Sequence, residues 1–111
     1  MNILKSYPEA MSKREAMKLT EAASTKKMIE LSGSVITPDK WIIYEDSDFR
    51  TGELKKVLTI EAEGEFFGTI SPTFIRQFEK YVDQLGEDLG SIKVITGETK
   101  SGRDYVTCEL V

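Results

Sequence analysis

Two short runs hold the side chains best suited to chemistry. In one, Phe49-Arg50-Thr51-Gly52 leads on to Lys55-Lys56; in the other, Lys100-Ser101-Gly102-Arg103 is followed at once by Tyr105. Each run puts cations and an aromatic ring close together in turn-forming sequence. Cations neutralise a polyanionic backbone, and aromatic faces stack on unpaired bases, at about 1–3 kcal/mol per base. Trp41 adds a further aromatic candidate. Phe49, Arg50, Lys55, Lys56, Lys100, Arg103, Tyr105 and Trp41 therefore form a candidate surface for single-stranded nucleic acid. On its own, Lys100-Ser101-Gly102-Arg103 reads more readily as a solvated hairpin tip.

The sequence excludes more chemistry than it offers. Its 111 residues contain no histidine and one cysteine, Cys108. A His-based triad, a His-ligated zinc and a Cys–His nucleophile are all ruled out, and so is an internal disulfide. Glu61, Glu63 and Glu65 read as solvated protection of a strand edge, since no other catalytic group has an evident place beside them. Asp46, Asp48 and Glu53 lack the spacing of a calcium loop, and no Gly-rich phosphate loop is present. Cys108 has apolar neighbours at ±2 and reads as a small core residue. A non-enzymatic protein with no cofactor is expected.

The elements that must position these residues fall into two parts. Residues 1–30 hold six basic and four acidic side chains, net +2, and the remainder holds nine and fifteen, net −6. Up to Leu31 the chain has no glycine and is rich in Ala, Met, Lys and Glu, good helix formers. Ser12 with Glu15 has capping-box spacing. The helical run breaks near Thr20 and resumes at Ser24 or Thr25, through Lys26, Lys27, Met28, Ile29 and Leu31, until Gly33 ends it. Domain organisation follows: a helical extension over residues 1–32 packed on a β domain over residues 33–111.

Strands dominate from Val35 onward. Val35 to Glu45 reads as one bent strand or two short ones around Pro38-Asp39, because proline cannot donate to a central ladder. Trp41 and Tyr44 face opposite ways, as do the adjacent Phe66 and Phe67. Lys56 to Ala62 alternates, Glu63-Gly64 is a hairpin turn, and Glu65 to Ile70 returns. Ser71-Pro72 then caps a helix with proline at its first position. Phe74, Ile75, Phe78, Tyr81, Val82 and Leu85 form one apolar stripe, and Gly86 closes it. Ile92 to Thr96 and Tyr105 to Val111 make a last hairpin.

Three strands, a helix and two strands match the element order of an OB-like, five-stranded Greek-key barrel. The rival is an open antiparallel sheet with the helix across one face. A barrel of this kind binds oligonucleotides on the face of its second and third strands, between two loops, and the two basic–aromatic runs occupy those loops.

Ser71-Pro72-Thr73-Phe74-Ile75-Arg76 with Phe78, the segment Trp41 to Asp46, and Ile95-Thr96-Gly97 with Lys100 to Cys108 also resemble a family of small single-stranded-DNA-binding replication proteins. These come from phages of Gram-positive bacteria. The similarity covers about residues 15–111 and implies protection of single-stranded DNA in replication or recombination, in the host cytoplasm. Partners then expected are single-stranded DNA, replication proteins and further copies of the chain. Separately, the basic residues Lys13, Arg14, Lys18, Lys26 and Lys27 either extend the nucleic-acid track or contact a neighbouring protomer. The competing class is an acidic protein-interaction module that inhibits or recruits a host or replication factor through Glu79, Asp83, Glu87 and Asp88. A signal peptide and a membrane span are not expected.

Overall fold

Ser71 opens the central helix with the geometry its sequence calls for. Its Oγ accepts a hydrogen bond from the Phe74 backbone N–H at 3.3 Å, and Pro72 takes the first helical turn. Helix α2 spans Pro72–Leu85 and ends at Gly86, whose φ of 55° places it in the left-handed region that glycine tolerates. The stripe turned inward is Phe74, Ile75, Phe78 and Val82.

The computed structural model describes residues 2–21, 25–47 and 50–111. Around α2 lie the strands β1 (Asn2–Tyr7), β2 (Lys26–Lys27), β3 (Val35–Ile36), β4 (Lys40–Ser47), β5 (Leu54–Ala62), β6 (Glu65–Thr69), β7 (Ile92–Glu98) and β8 (Asp104–Leu110), with helix α1 at Lys13–Glu21. A larger sheet runs β1-β4-β5-β6-β2, and a smaller one runs β3-β7-β8. The fold is mainly β. Among the described residues, no helix is long and apolar enough to cross a membrane.

Pro38-Asp39 divides the bent strand as expected, and its halves join different sheets. Val35 and Ile36 pair with β7, while Lys40 to Ser47 pair with β5. The β5–β6 turn at Glu63-Gly64 has positive φ at both residues, 52° and 79°, which matches the twist of the flanking strands. Asp39 Oδ2 accepts from the Glu63 N–H at 3.0 Å and ties that turn to the sheet crossing.

The closed barrel is corrected to two open sheets. Lys26 and Lys27 lie parallel to β6, opposite Phe67 and Gly68, and so occupy the edge that β8 would need for closure. Among the described residues β8 pairs only with β7. Ser71 Oγ, which donates to the Val106 carbonyl at 3.1 Å, bridges the opening.

The helical extension also needs revision. Ser12 does cap α1, accepting from the Glu15 N–H at 3.2 Å. However, Asn2–Tyr7 is an edge strand on β4, and residues 26–31 are β2 followed by a 3₁₀ turn at Met28–Leu31. The N-terminal third therefore supplies two strands to the larger sheet, and Met28 is fully buried in the main core.

Pleating gives the larger sheet two working faces. Trp41, Ile43, Leu58, Ile60 and Phe67 point into the main core with α2, Val94, Val106 and Cys108. Ile42 and Tyr44 point the other way, into a second small core under Ala16 and Leu19 of α1, with Met11, Val57 and Phe66 packed beside them. Trp41 and Tyr44 are thus both buried, on opposite faces. Burial raises the Tyr44 phenol above its ordinary value, and a hydrogen bond to Thr59 partly offsets the effect.

Cys108 is 2% exposed, and burial pushes its thiol up to about 12 from an ordinary 9.0. The native protein should therefore react with a disulfide reagent at pH 8 only as fast as it opens. Stoichiometric labelling of the folded protein within seconds would contradict this. The folded-state value lies above the unfolded one, so this group's contribution to stability falls as pH rises from about 9 toward 12.

Candidate nucleic-acid interface

The β4–β5 register fixes the first group of cations. Lys56 stands opposite Glu45 and Lys55 opposite Asp46. Lys56 turns toward α2 and pairs with Glu79 at 2.8 Å. A groove of about 500 Å³ opens here between the start of β5 and the first turns of α2. Leu54, Lys55, Lys56, Ile70, Pro72 and Arg76 are among its lining residues.

A second groove, of about 780 Å³, occupies the opening between the sheets. Lys26, Lys27, Ile29, Thr59, Asp104 and Tyr105 line it, and Ile70 and Pro72 are shared with the first groove. The two form one strip. Lys26, Lys27, Lys55, Lys56 and Arg76 line it with Glu79 and Asp104, and Glu65 holds Lys26 at 2.9 Å as Glu79 holds Lys56. Five cations against these three acids leave a net of +2. A cleft between β1 and the end of α2 carries two cations and four acids, net −2. Another beside α1 carries two of each.

Apolar surface runs along the same strip. Leu54 is 69% exposed, Ile70 57%, Ile29 41% and Tyr105 37%. Exposed apolar side chains interleaved with cations suit a ligand that alternates charge with flat, weakly polar faces.

The expected residues divide sharply. Lys55, Lys56 and Tyr105 line the strip. Arg50 is exposed on the turn that leads into β5, and Phe49 lies outside the described residues. Lys100 and Arg103 sit on a hydrogen-bonded hairpin tip and line neither groove. There Thr99 N–H donates to the Arg103 carbonyl at 2.8 Å, and Thr99 Oγ1 accepts from the Arg103 N–H at 3.1 Å. Trp41 is corrected outright: it is 8% exposed and meets Phe78 edge-on at 5.4 Å and 86°, so no base can stack on it.

α1 covers part of the outer side of the larger sheet, where Phe66 and Val57 pack against its core, while Val57, Thr59, Gly68 and Thr69 of β5 and β6 still line the second groove. Arg76, Leu54, Ile70 and Ile29 were not anticipated in the strip. Arg76 could have been found from its place on the polar side of the helix stripe, and Ile70 as an apolar residue left over at a strand end. Leu54 and Ile29 gave no such signal. The acidic face of α2 is half engaged within the molecule, since Glu79 holds Lys56 and Asp83 holds Lys5.

Tyr105 has a specific support. It stands opposite Gly97 in the β7–β8 register, and its ring fills the space that a Cβ at Gly97 would need. Gly97→Ala should force the ring aside and cost about 1–3 kcal/mol through overpacking, measured by urea denaturation. An unchanged midpoint would show that the ring has room to move.

No family model, curated protein or solved structure matches the chain.

Proposed function

We propose that this protein is a non-enzymatic, sequence-tolerant binder of single-stranded DNA that coats or protects the strand in phage replication or recombination, within the host cytoplasm. The observation that carries this reading is the strip of net +2 in a chain whose net charge is −4. Local sign governs contact with a polyanion, whereas net charge acts mainly on solubility and steering. The resemblance of three sequence runs to phage single-stranded-DNA-binding proteins supports the same reading. A single strand suits the strip because the exposed apolar side chains need unpaired base faces, which a duplex hides.

The test is a titration of fluorescent oligo-dT at two salt concentrations. Affinity should fall with salt, the logarithmic slope being about −0.7 per phosphate contact and so no steeper than about −3.5 for five cations. Folded protein that fails to bind at low salt would sink the proposal.

A further inference from the structure

Two surfaces on this chain are complementary to one another and lie on opposite faces of the larger sheet. α1 turns Ala16 and Leu19 inward. That leaves Lys13, Arg14 and Lys18 exposed around Met17, which is itself 54% exposed, with Glu21 and Glu61 beside them, so that this surface holds three cations and two acids. Across the sheet, β1 and the last turn of α2 bound a cleft of about 1020 Å³. Glu9, Asp39, Asp83 and Glu87 line it against Lys5 and Lys40. Both lysines are already engaged, Lys5 with Asp83 and Lys40 with Glu15. The C-terminus of α2 adds its negative dipole end at Gly86. Leu4 and Tyr7, 40% and 39% exposed, supply apolar surface between the acids.

We propose that α1 of one copy docks in the β1–α2 cleft of the next, with Met17 against Leu4 and Tyr7 and the three cations facing the acids. A thioether beside an aromatic ring is a favourable contact. Docking goes through side chains, because the register shift between Ile3 and Lys5 is a bulge that disfavours addition of another strand. The two surfaces differ and face opposite ways, so the contact is heterologous and propagates copies head to tail. Neither surface includes the cationic strip, so the inference stands apart from the DNA-binding proposal.

Sedimentation velocity without nucleic acid tests it, in low salt over a range of protein concentrations. Average mass should rise with concentration and fall back in high salt. Glu9→Lys with Glu87→Lys, and separately Arg14→Glu with Lys18→Glu, should each raise the dissociation constant at least tenfold. An equimolar mixture of the two variants should associate again, since each then offers the surface the other needs. Should either charge reversal disturb folding, Arg14→Gln with Lys18→Gln should weaken association in the same direction. A wild-type protein that stays monomeric to about 1 mM would overturn the proposal. So would association that survives either pair of substitutions, or a mixture that remains monomeric.

Discussion

Phe78→Ala should cost the protein about 3–5 kcal/mol of folding stability. Phe78 is completely buried, stacks with Phe74 at 6.5 Å and 17°, and receives the Trp41 ring edge-on. Removing it opens a cavity where the helix meets the larger sheet. A domain of this kind has only about 5–15 kcal/mol of stability in all. Urea denaturation followed by Trp41 fluorescence checks the expectation, since the probe sits against the deleted ring. A loss below about 1 kcal/mol would show that the helix does not hold the core together.

That helix was also the element most legible in the sequence. Ser71, Pro72, the apolar stripe and Gly86 each act within a few residues of the geometry they impose. The same holds for the Glu63-Gly64 turn and for the strands on either side of it. β1 was invisible because it is an edge strand whose side chains are mostly exposed; adjacent Ile3 and Leu4 and the register shift beside them erase any alternation. β2 was misread because Lys26-Lys27 has no strand propensity of its own, and its conformation comes from the free edge of β6. That non-local pairing also decided between an open and a closed sheet, which no local pattern could report. The candidate site shared this limit. Lys55, Lys56 and Tyr105 were identifiable as types in turns, but the strip exists only because β2 sits where a barrel would have closed.

Lys27→Glu combined with Arg76→Glu should weaken oligo-dT binding about a hundredfold at low salt and flatten the logarithmic salt slope by about 1–2 units. Both side chains are exposed, and they stand one in each groove, so the pair samples the whole strip. Neither contributes to the buried clusters, and thermal stability should change by no more than about 0.5 kcal/mol. Lys100→Glu with Arg103→Glu reverses the same charge on the hairpin tip, and its effect should be smaller. Equal losses from both pairs would mean that charge matters only as a general field. A larger loss from the tip would move the interface to the loops first suggested by the sequence.

The two residue pairs that hold β2 to β6 govern how easily the groove between the sheets changes width. β5 and β6 are joined by the Glu63-Gly64 turn, and β4, β5 and β6 form ladders of eight and five residue pairs between segments close in sequence, which close locally and early. β2 joins across a long stretch of chain through two residue pairs and the exposed Lys26–Glu65 ion pair, with Met28 as its buried anchor. Hydrogen exchange should therefore show β4 and β5 opening only with the whole molecule, and β2 opening at much lower free energy. One wall of the groove is thus the most readily released segment of the larger sheet. Under the proposed function, a strand of DNA held by Lys26 and Lys27 would work against that small local stability and not against the fold as a whole.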